Sequence, residues 1–155
     1  MKIAVFPGSF DPFTLGHEDV VKRSLPLFDK IIISIGLNTQ KSYLFPLEQR
    51  LDWIRRVFKE EPRVVVDHYE GLTINYCKQV GASHIIRGVR SSADFEYEKT
   101  IAHLNEMMIP EIGTILILTR PELAPISSTI VREIIRGRGD ISRFVPKEIA
   151  SLLTF

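Results

Sequence analysis

The sequence predicts an α/β fold: a single domain, residues 1–155, with a parallel five-stranded sheet and helices on both faces. Three observations carry this. Short apolar, β-branched runs alternate with segments of helical spacing along the whole chain, the pattern of strand–helix–strand units with right-handed crossovers. The length of 155 residues suits one domain and buries roughly 68–70% of the unfolded surface, enough for a core without a disulfide or metal staple. No internal repeat, low-complexity stretch or linker breaks the alternation.

The first strand is predicted over Lys2–Phe6, and the breakers Gly8, Asp11 and Pro12 mark a loop over Pro7–Leu15. A helix starts near Gly16, turns Val20, Val21, Ser24 and Leu25 inward, and ends or distorts at Pro26. Lys30–Ile35 holds Ile31-Ile32-Ile33, a run suited to a strand buried on both faces. Leu47, Leu51, Ile54 and Phe58 recur at helical spacing over Leu47–Phe58. Arg63–Asp67 is the third strand, and Leu72–Val80 a helix ended by Gly81. His84–Arg87 is a short fourth strand before a loop over Gly88–Ser92. Asp94–Met108 is a long helix stopped before Pro110, and Thr114–Leu118 the last strand. Ser127–Arg136 is a helix stopped at Gly137, and Pro146–Leu153 a final one. Arg138-Gly139-Asp140 reads as a polar turn after a helix rather than an adhesion signal.

Composition narrows the function classes. With 20 Lys and Arg against 19 Asp and Glu, the net charge is +1, far less basic than a chain held to nucleic acid by broad electrostatic attraction. The single cysteine, Cys77, excludes an internal disulfide framework and a multi-cysteine zinc site. In a helix away from the strand-end loops it is expected to be structural. The run Met1–Phe6 is too short for a signal-peptide core, and no segment approaches the ~20 apolar residues of a membrane helix. The expected setting is cytoplasmic, without nucleic-acid or membrane partners.

Ligands of such sheets bind beyond the carboxyl ends of the strands, and polar residues gather there: Ser9–His17, Asn38–Lys41, Arg87–Asp94 and Arg120–Arg132. The first of these loops contains neither G-x-x-x-x-G-K-S/T nor G-x-G-x-x-G. It offers a glycine turn, small hydroxyls and a helix start, where free N–H groups and the macrodipole favour an anion. His17 stands in the first turn, placed to aim a ring N–H at a phosphate; the plainer reading is a surface histidine. Ser127, Ser128 and Thr129 are N-cap candidates, but capping leaves Arg132, on the face of Thr129 and Arg136, unexplained. Two such helix starts could cradle one triphosphate.

Thr14-Leu15-Gly16-His17 resembles the T/H-x-G-H motif of the nucleotidyltransferase superfamily, and Ile126-Ser127-Ser128-Thr129-Ile130-Val131-Arg132 its I-S-S-T-x-x-R signature. The chain is too short for a synthetase of that superfamily. Arg87-Gly88-Val89-Arg90-Ser91-Ser92-Ala93-Asp94-Phe95-Glu96-Tyr97-Glu98 looks like the R-G-x-R-x-x-x-D-F-E-Y-E block of the phosphopantetheine adenylyltransferases. Lys41, and Asn105 two residues after His103, also fit, and the resemblance runs nearly end to end. It implies a Rossmann-like sheet and transfer of AMP from ATP to 4′-phosphopantetheine, giving dephospho-CoA and pyrophosphate in coenzyme A biosynthesis.

The resemblance further implies the site. His17 would stabilise the α-phosphate in the transition state, with Lys41 and Arg90 also counted as catalytic. Ser9 would orient the attacking phosphate, and Lys41 and Arg87 would hold it. The backbone near Leu72-Thr73, together with Asn105, would meet the pantetheine arm. ATP would lie against Ser9, Phe10, His17, Gly88, Val89, Arg90, Glu98 and the run Leu123, Ala124, Pro125, Ile126, Ser127, Ser128 and Thr129, with Arg132 in support. Mg²⁺ is expected to arrive on ATP, because no carboxylate cage is visible and Asp11 serves equally as a turn cap. A homohexamer and coenzyme A feedback are implied by the resemblance alone.

Some plainer readings stand beside these. Arg87 and Arg90 could pair with Asp94, Glu96 or Glu98. The stripe Tyr97, Ile101, Leu104 and Met108 could be plain core or a subunit contact. Ser9 replaces a threonine common in the family and keeps its hydroxyl. A nicotinamide- or nicotinate-nucleotide adenylyltransferase shares both signatures but lacks the Arg87–Glu98 block. A silent nucleotide- or RNA-binding module is disfavoured by the intact Thr14–His17 motif and the near-neutral charge.

Overall fold

In the computed structural model, which describes residues 1–153, all five apolar runs pair side by side in one parallel sheet. The strands are β1 (Ile3–Gly8), β2 (Lys30–Leu37), β3 (Val64–Glu70), β4 (His84–Val89) and β5 (Gly113–Leu118). Between them lie α1 (Leu15–Ser24), α2 (Leu47–Val57), α3 (Thr73–Gln79) and α4 (Ser92–Met108), and after them α5 (Ser128–Arg136) and α6 (Lys147–Ala150). The order is β3-β2-β1-β4-β5, a Rossmann-like arrangement. Residues 154–155 of the expected domain lie outside the described residues.

Side-chain alternation places helices on both faces. Ala4, Phe6, Ile31, Ile33 and Ile86 pack with Val20, Val21, Leu51, Ile54, Val131 and Ile149, so α1, α2, α5 and α6 share one face. Val5, Ile32 and Ile85 point the other way, onto Ile74, Tyr76 and Cys77 of α3. Burial pushes the Cys77 thiol up to about 12, so it stays protonated near neutrality and serves as packing.

Several boundaries differ from those the sequence predicts. β4 continues through Gly88 and Val89, which pair with Ile117 and Leu118, where a loop was expected. β2 and β3 run on to Leu37 and Glu70, because their ladder extends beyond the apolar runs. Pro26 does not simply stop α1; a short 3-10 turn, Leu25–Leu27, follows it. The last helix is the four-residue α6, shorter than expected. The stripe on α4 is not core: Tyr97 is 66% exposed and Met108 51%, and in α4 only Glu98 is buried.

The strand order reverses between β1 and β4, and crevices at such switch points hold ligands. The β1–β4 ladder is confined to Ala4 with His84 and Val5 with Ile85, although both strands continue. Beyond these pairs Arg87 Nη1 donates to the Pro7 carbonyl at 2.8 Å, so a guanidinium occupies the gap where a strand partner would be.

Candidate active site

Two cavities open at this split. The larger, about 830 Å³, lies over β2, β3 and the middle of α4 and is lined by Lys41, Thr73, Arg87 and Asn105. The smaller, about 280 Å³, lies between the starts of α1 and α5 and is lined by His17, Gly88, Arg90, Ile126, Ser127 and Ser128. Pro7, Gly8, Ser9, Arg87 and Glu98 form a wall common to both.

The first loop is shaped by aromatic packing. Phe10 takes a left-handed φ of 48°, and its ring lies so close to Gly8 that a Cβ there would sit 2.7 Å from it. Only glycine fits under that ring. Phe10 and Phe13 stand 5.0 and 5.3 Å from the His17 ring, centroid to centroid. Thr14 caps α1, and its N–H donates to His17 Nδ1 at 3.0 Å while the His17 N–H donates to Thr14 Oγ1. This is a capping box with histidine in the place usually taken by Glu or Gln. Because Nδ1 accepts, the ring proton sits on Nε2. Burial first, and then the positive charges of Arg87 and Arg90, lower the His17 pKa to about 3. His17 is therefore a neutral N–H donor at any ordinary pH, not a surface histidine.

Arg87 is held by Glu98 through two parallel bonds, Nε to Oε2 at 2.9 Å and Nη2 to Oε1 at 2.8 Å. Together with the bond to Pro7, these engage three of the five N–H donors of a guanidinium, leaving two for an anion at the wall between the cavities. The pairing of Arg87 with a carboxylate is thus real, and it orients the group instead of consuming it. Arg90 lies 3.4 Å from Asp94 and reaches the Ile126 carbonyl at 3.4 Å, joining the α4 start to the α5 start.

At α5, Ser127 is the N-cap, accepting from the Ile130 N–H at 3.2 Å. Ser128 Oγ donates to the Pro12 carbonyl at 2.8 Å. Arg132 Nη1 donates to the Asp11 carbonyl at 2.9 Å and Nη2 to Thr129 Oγ1 at 3.3 Å. The Ser128 hydroxyl and Arg132 therefore brace the first loop, while the first-turn N–H groups of Ser128 and Thr129 have no intrahelical acceptor. The Gly16 N–H is in the same position at α1. Two helix ends thus face one cavity, an electropositive seat for a polyphosphate.

Of the residues expected at ATP, Ser9, Phe10, His17, Gly88, Arg90, Glu98, Ile126, Ser127 and Ser128 line the smaller cavity. Val89 is buried in the sheet, and Leu123, Ala124, Pro125 and Thr129 line neither cavity. Those expected at the second substrate, Ser9, Lys41, Thr73, Arg87 and Asn105, all line the larger one. Asp11 is neither a cap of its own turn nor open to a ligand: Oδ2 accepts from the Leu44 N–H at 2.8 Å and Oδ1 from the Phe45 N–H at 3.0 Å.

Sequence reasoning missed Gly36 and Tyr69, which also line the larger cavity. They are register partners on β2 and β3, and a Cβ on Gly36 would lie 3.0 Å from the Tyr69 hydroxyl. That hydroxyl is 2.6 Å from Thr73 Oγ1, and its ring stacks on Tyr76 at 4.6 Å. Tyr76 in turn donates to Asp67 at 2.7 Å and accepts from Ser34 at 2.9 Å. Placing Tyr69 inside a longer third strand was the signal that could have found it.

Comparison with known proteins accords with this geometry. A family model described as Cytidylyltransferase-like matches residues 5–134. The phosphopantetheine adenylyltransferase of Flavobacterium psychrophilum is 55% identical over 149 residues, 96% of this chain and 98% of the relative. That of Bacteroides fragilis is 50% identical over 147 residues, 95% and 97% of the two chains. That of Caldanaerobacter subterraneus subsp. tengcongensis is 43% identical over 153 residues, 99% and 96%. Identity at this level over nearly the full length of each relative means that the chain belongs to the phosphopantetheine adenylyltransferase family, within the cytidylyltransferase-like proteins.

Proposed function

We propose that the chain transfers AMP from ATP to 4′-phosphopantetheine, giving dephospho-CoA and pyrophosphate, a step of coenzyme A biosynthesis. One observation carries this reading: two cavities of different character meet at a common wall of Ser9 and Arg87, with His17 on one side and Lys41 on the other. The smaller accepts a triphosphate between two helix ends. The larger is long and mixed, with Thr73 and Asn105 for an arm rich in amides and two cations for its phosphate.

A phosphate oxygen of phosphopantetheine attacks the α-phosphorus in line, the bond to the bridging α–β oxygen breaks, and pyrophosphate departs with that electron pair. The protein's contribution is positioning and charge stabilisation. His17 Nε2–H donates to a non-bridging α-oxygen as charge builds there. Ser9, Lys41 and the two unused N–H groups of Arg87 hold the attacking phosphate. Arg90 and the N–H of Ser128 meet the departing phosphates.

Mg²⁺ belongs to the proposal as a companion of ATP, where it would neutralise triphosphate charge. The carboxylates at the smaller cavity, Glu98 and Asp94, are paired with Arg87 and Arg90, which supports a metal carried by the phosphates of ATP. No group of three candidate ligands occurs among the described residues. A cytoplasmic setting, coenzyme A as a feedback ligand and a homohexamer complete the reading. The exposed apolar stripe of α4 supports assembly, and among the described residues no helix is long and apolar enough to cross a membrane.

The test is pyrophosphate release from ATP and Mg²⁺ with either phosphopantetheine or nicotinamide mononucleotide as acceptor. Release with phosphopantetheine alone is expected. Release only with the mononucleotide, or with neither, overturns the reading.

A further inference from the structure

Two buried charged residues, Asp11 and Arg50, are 2% and 3% exposed and line neither cavity. Burying a charge is costly unless it is fully partnered, and the hydrogen bonds of these two tie the first loop, the residues before α2 and α2 itself together. Asp11, in the first loop, accepts the Leu44 and Phe45 N–H groups with its two oxygens. Arg50, on α2, donates from Nε to the Phe45 carbonyl at 2.9 Å and from Nη1 to the Ser9 carbonyl at 2.7 Å. Its guanidinium also lies over the Tyr43 ring, 4.2 Å from the centroid. Residues 43–45 are thus gripped from the first loop and from α2 at once.

The grip ends just short of Lys41. From Asn38 to Lys41 the loop is held by its own turn, the Lys41 N–H on the Asn38 carbonyl and the Gln40 N–H on the Asn38 side chain. Lys41 is three residues from Leu44, so where its ammonium can reach depends on where Leu44 and Phe45 are pinned. The same Arg50 bond fixes Ser9, which lines both cavities.

We propose that Asp11 and Arg50 are positioning residues that set the Lys41 loop at a defined distance from Ser9 and His17, and so align the acceptor phosphate with the α-phosphate of ATP. This rests on the reading of the larger cavity as the phosphopantetheine site. Neither residue touches substrate. They act through Lys41 and Ser9.

Asp11→Asn tests it with little change of shape: the amide keeps one acceptor and presents an NH₂ group to the other N–H. Kinetics of Asp11→Asn, Lys41→Ala and the double variant would be measured against each substrate separately. Asp11→Asn is expected to raise the phosphopantetheine KM about tenfold, the scale of a lost hydrogen bond to a charged group, with the ATP KM within about twofold. The double variant should be no worse than Lys41→Ala alone, because the two residues act as one unit. Penalties that multiply, or an ATP KM that rises in step, overturn the proposal in favour of a general structural role.

Amide hydrogen exchange gives a readout independent of activity. Leu44 and Phe45 should lose protection about tenfold while the β1 and β4 amides keep theirs. Unchanged protection at those two amides refutes the clamp. If wild type releases no pyrophosphate with phosphopantetheine, the functional reading fails, and the exchange result still judges the clamp. Should Asp11→Asn not fold, Arg50→Lys carries the exchange measurement at Leu44 and Phe45, because a single ammonium cannot bridge the two carbonyls in the geometry of the guanidinium fork.

Discussion

Acidification isolates what the fold does to His17. An unfolded histidine takes up a proton near its ordinary value of 6.5, whereas the folded group, with its pKa lowered to about 3, stays neutral. Between these values the unfolded state binds the extra proton, so stability falls as the pH is lowered through the window. From about pH 7.5 to about pH 4.5 the loss for this group alone is roughly 2–3 kcal/mol, at ~1.36 kcal/mol per unit below the unfolded pKa. His17→Gln removes the titration and keeps a side chain suited to the reciprocal cap with Thr14. Urea unfolding of both proteins at one protein concentration, at several pH values across the window, gives the difference in stability. Other groups that titrate, including His84 with its pKa lowered by burial, contribute to both proteins and cancel. The wild-type curve should converge on, or cross, the variant's as the pH falls. A difference that stays flat would mean that His17 protonates in the native state, and would remove the neutral Nε2–H donor from the site.

His17→Ala should lower kcat by roughly 10²–10³ while the ATP KM changes little, because one transition-state donor is lost; steady-state kinetics with phosphopantetheine decide it. Tyr69→Phe deletes the hydroxyl beside Thr73 and should raise the phosphopantetheine KM by roughly fivefold without moving that of ATP. An equal rise in both would place Tyr69 outside the arm site. Leu104→Asp on the exposed face of α4 tests the proposed assembly: a shift to smaller species in sedimentation velocity is expected, because a charge in an apolar contact is left unpaired. An unchanged profile would mean that this face is not a subunit contact.

The strands and their alternation with helices were legible because each strand carries a β-branched run and each helix a spaced apolar set. Their ends were less so. Gly88 reads locally as a breaker, but the pairing of β4 with β5 carries the strand through Gly88 and Val89, and no local pattern reveals a partner strand. The candidate site was legible where it consists of short contiguous motifs, as at Thr14–His17 and Ser127–Ser128. It was not legible where the physics is long-range. Asp11 looks like a turn residue because turns favour aspartate, and its actual partners lie 33 and 34 positions away. Arg50 has the appearance of an ordinary charge on an amphipathic helix, and only the Ser9 carbonyl it meets shows otherwise. The depressed pKa of His17 follows from burial, to which three phenylalanine rings contribute, and from the charges of Arg87 and Arg90, and that convergence belongs to the fold rather than to any spacing.

The bracing of the first loop by α5 also orders events during synthesis. Pro12 and Ser128 are 116 positions apart, Asp11 and Arg132 121, so the loop leaves the ribosome long before the helix that holds it. The larger cavity has its last wall residue in chain order at Thr114, the smaller one at Ser128. A growing chain therefore completes the acceptor side first and the nucleotide side last. A growing chain that ends before Ser128 lacks the second of the paired helix ends needed to hold a triphosphate.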